Sequence, residues 1–325
     1  MQKIYEKKIL FDSEEVTIEE VEWYNNKKVI HATFSLKNWS KVILTKLKEY
    51  GVQDVNIYGF AKNKVKYETL SCLKDLVFLK KLVLQISNDT FDNLDQLYDF
   101  QKLESLKISQ NVKNKINIAR LAKLEELQTK WRGVVVNIEK CQMLKKATIE
   151  GYSEHDLEPL SKLKKLKSLE IMRGSKLVNL DGCDGLINLE FLSLYRCNKL
   201  EDISMLENVK QLRKLHIESC EKISSFNKIG GFKNLEELLI LDCGEIESFR
   251  FIEKLPKLKR LIIGGTTKAI DNGIAFIFQL PAIEGVSVGC YPGYDMTFEE
   301  YCSEPLIKSS NNPIKVNWDY EINVI

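Results

Sequence analysis

Three cysteines, Cys197, Cys220 and Cys243, recur 23 residues apart. Thiolates at regular spacing are candidate zinc ligands, so metal binding is the first chemistry to test. Equal spacing at such a period places the three at one position of successive structural units. They then form a row with neighbours about 5 Å apart and outer members about 10 Å apart. Tetrahedral zinc needs its sulfurs roughly 4 Å apart around one centre, which a straight row does not supply. No Cys-x-x-Cys pair occurs, and Cys290 and Cys302 stand well separated. The row reads as a buried ladder, with no metal and no other cofactor expected.

Nucleophilic and acid–base chemistry finds no better footing. The three histidines are His31, His155 and His216, and no recognised motif sets a Ser or Cys nucleophile beside any of them. Gly230-Gly231 and Gly264-Gly265 lack the strand–loop–helix pattern and the Lys of a phosphate loop. Carboxylates are plentiful, but abundance is not a catalytic pair. The run Lys162–Lys167 alternates lysines with Leu163 and Leu166, the pattern of a solvated turn over core positions. An enzyme is not expected.

Composition narrows the classes further. The chain carries 48 Lys and Arg against 46 Asp and Glu, a net charge of +2, while 44% of its residues are hydrophobic. It is globular, and it lacks the basic excess of a dedicated nucleic-acid binder. Acidic residues near the start stand where a signal peptide needs an apolar core, and no run is long enough to span a membrane. Eight cysteines among 325 residues fall far below a disulfide scaffold. These signals predict a reduced, cytoplasmic protein.

The elements that carry these residues repeat. The pattern Leu-x-x-Leu-x-Leu/Ile begins at Leu166, Leu189, Leu212, Leu235 and Leu258, always 23 residues apart. Copies at Leu79, Leu103, Leu124 and Leu144 precede it, and a looser one starts at Ile283. Each unit keeps a second half, with the cysteine, then Leu200/Ile203, Ile223/Phe226 and Ile246/Phe249, then Leu206, Ile229 and Ile252. This template resembles the leucine-rich-repeat family, most closely its short class of about 22 residues, as in phosphatase regulatory subunits and bacterial internalins. The resemblance implies an α/β solenoid with a parallel sheet on its concave face and short helices or 3₁₀ turns on its convex face. It also implies that the cysteine position, usually Asn, satisfies loop backbone groups.

Stacked units bury one continuous Leu and Ile column, so a single solenoid domain is expected rather than two globular ones. Repeats should occupy residues 76–290. Residues 1–75 read as an N-terminal cap: strands Val16–Trp23 and Lys28–Leu36 around the turn Tyr24–Lys27, a helix near Asn38–Tyr50, and a degenerate repeat strand at Val55–Ile57. Residues 291–325 read as a C-terminal cap closed by an alternating strand from Ile314 to Ile322. Open ends of a solenoid expose apolar surface unless covered.

Alternation along each strand sends the residues between the core positions outward. The outward columns of the middle repeats gather Met172, Arg173, Phe191, Tyr195, Arg196, His216, Glu218, Leu239, Leu241 and Asp242, with Trp131 as an edge extension. His216 is expected close to Glu218, and Leu239, Leu241 and Ile262 are expected to form an exposed apolar patch. Aromatic, Met and Arg side chains in an exposed patch are the residues enriched at protein-binding hot spots. Outward positions also mix eight basic residues with six acidic ones, which favours a folded protein partner over a polyanion. The expectation is a monomeric, non-catalytic protein that binds a protein partner through the concave face. An immunity-type inhibitor and a phosphatase-type regulator are variants of that reading, and a surface or secreted adhesion protein is its rival.

Overall fold

A computed structural model describes residues 4–304, except 24–27, 36–37, 61–65, 68–69, 71–72, 88–89, 92, 109–110 and 132–133. The hairpin turn at 24–27 and the closing strand anticipated at 314–322 lie outside the described residues. The chain divides into two compact units, Gln2–Glu150 and Gly151–Ile325. The boundaries expected near residues 75 and 290 fall inside them.

The N-terminal unit opens with three antiparallel strands, Ile4–Asp12, Val16–Trp23 and Lys28–Ser35. The first of these was not anticipated, because its central Glu-Lys-Lys run hides the strand alternation. Helix Lys41–Glu49 follows, N-capped by the Ser40 hydroxyl and burying Ile43 and Leu47. Strand Asp54–Phe60 then pairs in parallel with both Lys28–Ser35 and Lys81–Ser87, so the degenerate repeat strand is real. Ser105–Ile108, Glu126–Lys130 and Lys146–Glu150 continue the parallel order, with Leu82, Leu106, Leu127 and Ala147 aligned in register.

The C-terminal unit carries the regular repeats. Strands Ser168–Met172, Phe191–Tyr195, Lys214–Glu218, Glu237–Leu241 and Arg260–Gly264 pair in parallel, and Gly285–Val288 follows at the end. Their register sets Leu169, Leu192, Leu215, Leu238, Leu261 and Val286 in one buried column. The returning arms are 3₁₀ turns, such as Ser204–Asn208 and Asn227–Gly231, which drop Leu206 and Ile229 into the core. Three residues per 3₁₀ turn suit arms this short.

Six strands end the same way. Gly151, Arg173, Arg196, Ser219, Asp242 and Gly265 all have positive φ, between 50° and 68°. The left-handed residue turns the chain off the strand while its N–H reaches the next repeat: Arg173 donates to the Tyr195 carbonyl at 2.7 Å and Arg196 to that of Glu218 at 2.9 Å. Beneath these turns runs the cysteine ladder. The Cys220 thiol donates to the Leu194 and Glu218 carbonyls at 3.7 and 3.4 Å, and Cys243 to those of Ile217 and Leu241 at 3.8 and 3.2 Å. Gly174 occupies the same level one repeat earlier, where a Cβ would meet Cys197 Sγ at 2.9 Å.

Beyond the last repeat, Asp295 Oδ1 accepts the N–H groups of Ile274 and Ala275 at 2.7 and 3.0 Å. The Tyr294 hydroxyl accepts the Ala269 N–H at 2.9 Å, and a short helix, Phe298–Ser303, follows with a Thr297/Glu300 capping box.

Candidate functional site

On the C-terminal unit, the sheet face turned away from the core presents three columns of side chains. Phe191, Lys214, Glu237 and Arg260 align at the strand starts, and Ser193, His216, Leu239 and Ile262 at the middles. Met172, Tyr195, Glu218 and Leu241 align at the strand ends.

An ionic and aromatic cluster holds the start of the face. Glu237 receives the His216 ring nitrogen at 2.7 Å, Lys214 Nζ at 3.4 Å, and the Arg260 guanidinium. Burial opposes ionisation of Glu237, but the His216 hydrogen bond and the charges of Lys214 and Arg260 outweigh it and hold the carboxyl down at about 2. The His216 ring in turn meets Phe191 edge-on, with centroids 5.0 Å apart and planes at 78°. Phe191 is therefore fixed as a half-buried aromatic anchor rather than a loose surface ring.

At the strand ends, the Arg196 guanidinium lies 5.1 Å from the Tyr195 ring centroid. Glu218 stands next along the column. Burial, reinforced by the Asp242 carboxylate, raises its pKa, while Arg196 and His216 act the other way. The Asp242 carboxylate caps the following turn by accepting the Thr266 N–H at 3.0 Å. A Cβ at Gly265 would fall onto that carboxylate, which accounts for glycine there.

The structure therefore brings together ten of the anticipated residues on one unit: Met172, Arg173, Phe191, Tyr195, Arg196, His216, Glu218, Leu239, Leu241 and Asp242. Trp131 belongs to the N-terminal unit, where its backbone N–H donates to the Glu150 carbonyl at 2.8 Å. One expectation needs correction. Leu239 is only 3% exposed, because strand spacing of about 4.8 Å presses His216 and Ile262 against it from both sides. The apolar patch of the face is accordingly reduced to the half-buried Leu241 and Ile262; the large exposed apolar side chains among the described residues of this unit, Ile187 and Ile270, lie off its strands. His216 does stand near enough to Glu218 to lower its pKa, and its ring nitrogen meets the accepting Glu237 carboxylate at 2.7 Å. Sequence reasoning left Lys214, Glu237 and Arg260 outside the site, although they align with Phe191 at the strand starts. Their alternating sign across three adjacent repeats was the available signal.

Among the described residues, no group of three or more His, Cys, Asp and Glu could hold a metal ion. No described helix is long and apolar enough to cross a membrane.

Parallel repeat strands, 3₁₀ return arms and in-register Leu columns define an α/β leucine-rich-repeat solenoid. Solved structures share this fold. An internalin (inlF) from Listeria monocytogenes is 18% identical, matches 72% of this chain and 68% of its own, and superposes with a TM-score of 0.52. The mouse RP105/MD-1 complex is 16% identical, with 73% of this chain and 47% of that one covered, at a TM-score of 0.50. Identity at this level establishes the fold and leaves function to the site. No protein-family model matches the chain, and no curated protein matches it by sequence.

Proposed function

We propose that this is a non-catalytic, cytoplasmic interaction protein that binds a protein partner on the open sheet face of its C-terminal unit. The observation that carries the reading is the fixed pair of aromatic anchors. Phe191 is braced by His216 and, through it, by Glu237, while Tyr195 carries Arg196 across its ring. Rigid, half-buried aromatics flanked by charge lose little entropy on contact, which is the hot-spot pattern of protein interfaces. The mixed charge of the face argues for a folded protein and against a polyanion. Inhibitor, regulatory-subunit and adhesion roles would differ in the partner and share the face.

Affinity capture from the native cell followed by hydrogen exchange on the purified complex tests the proposal. Protection should appear in Phe191–Tyr195 and Lys214–Glu218. A complex whose protection lies wholly elsewhere overturns it.

A further inference from the structure

The left-handed turn residues form a row, and its chemistry changes in mid-row. Gly151 and Gly265 hold the two outer positions, as expected where φ is positive. Between them stand Arg173, Arg196, Ser219 and Asp242, with φ of 57°, 53°, 53° and 50°. A non-glycine residue in this region costs roughly 1 kcal/mol. Asp242 is accounted for by its bond to the Thr266 N–H, while the Arg173 and Arg196 side chains stand exposed on the same row. The row is also ordered in sign. Two cations come first, then a small hydroxyl, then a carboxylate beside Glu218. Met172, Tyr195, Glu218 and Leu241 run parallel to it, one residue back along each strand.

From this order we infer that the partner docks an amphipathic helix along the row, with two acidic side chains one turn apart over Arg173 and Arg196 and a basic side chain over Asp242. This rests on the open face being the binding face. The spacings agree: a helix advances about 5.4 Å per turn and the repeats about 4.8 Å, so one turn meets one repeat. The accumulated mismatch over three steps, about 2 Å, is within the reach of Arg and Lys side chains. Apolar side chains of that helix meet Met172, Tyr195 and Leu241, and a polar one meets Glu218 between Tyr195 and Leu241. A nucleic acid fits poorly, because its unbroken phosphates would run over Glu218 and Asp242.

The probe is a synthetic helical peptide with two Glu one turn apart, a Ser on the next turn and a Lys on the turn after, on an otherwise Ala- and Leu-based scaffold. The control replaces both Glu and the Lys by Gln. The chain has seven arginines, so the Nε–Hε signals of Arg173 and Arg196 can be followed individually by NMR. The charged peptide should shift those two signals and leave Arg120 unmoved. The neutral peptide should bind at least about tenfold more weakly, as the three charge pairs are then absent. Equal binding of both peptides, no shift at Arg173 or Arg196, or a larger response to single-stranded DNA overturns the inference. The face itself is judged separately, through the full partner: capture lost in Tyr195→Ala but retained in Arg173→Glu/Arg196→Glu keeps the face and rejects the helix register. Capture retained in both rejects the face.

Discussion

Glu237 and His216 sit on neighbouring strands, and their side chains meet at 2.7 Å although they are not register partners. His216 lies opposite Leu239, and Glu237 reaches it diagonally from two residues earlier. This diagonal contact joins the ionic column to the aromatic one and fixes the ring on which Phe191 rests.

The pair makes stability depend on acid in a defined window. The folded Glu237 value, about 2, lies below its ordinary value of 4.5. Its contribution is therefore complete above pH 4.5 and is lost as pH falls toward 2. Glu237→Gln should lower stability near neutrality by about 2 kcal/mol and flatten the acid limb of the curve. Denaturant melts of both proteins across that range measure it. Parallel curves at all pH values would contradict the assigned contact.

Thiol reactivity should sort by position. Burial pushes Cys141 up to about 11 and Cys183 and Cys243 up to about 12, and the neighbouring Cys197, together with burial, raises Cys220 strongly. Cys302 is exposed and Cys290 half-buried. Among the seven described cysteines, alkylation of native protein should mark Cys302 first and Cys290 next. The five buried thiols should label only at the rate of unfolding. Rapid native labelling of Cys220 or Cys243 would contradict the ladder.

The turn row separates stability from recognition. Arg196→Gly relieves the positive-φ cost and frees the unfolded chain, so the two effects nearly cancel, leaving stability within about 1 kcal/mol of wild type. Partner affinity should nevertheless fall, because the guanidinium over Tyr195 is gone. Gly265→Ala should do the reverse. Its Cβ collides with the Asp242 carboxylate, so the variant should lose stability while Arg173 and Arg196 are untouched. Paired melting and binding curves for both variants check this; a joint loss in Arg196→Gly would assign the arginine to the fold.

Much of the fold is legible in sequence because the repeat averages over many copies. Leu169, Leu192, Leu215, Leu238 and Leu261 each give the same period, so one atypical residue cannot mislead. The strand Ile4–Asp12 has no such support, and its central charges break the alternation. The site was half legible. Alternation placed its residues on the outward face, yet it carries no information on how far neighbours cover each other. Leu239 was therefore read as exposed when His216 and Ile262 bury it. Nor does a residue's type reveal its φ, so the left-handed Arg173 and Arg196 came only from the structure. Leu239→Asp would therefore place a carboxylate in a buried position and destabilise the fold.

The most direct measurement is calorimetric titration of the captured partner into wild type and Tyr195→Ala, with melting curves of both. Tyr195 is half-buried and points away from the core, so its loss should shift the melting temperature by no more than about 2 °C. Expected is a loss of affinity of at least about thirtyfold, near 2 kcal/mol, at that nearly unchanged stability. Equal affinity in the two proteins would place the binding surface elsewhere and contradict the proposed face.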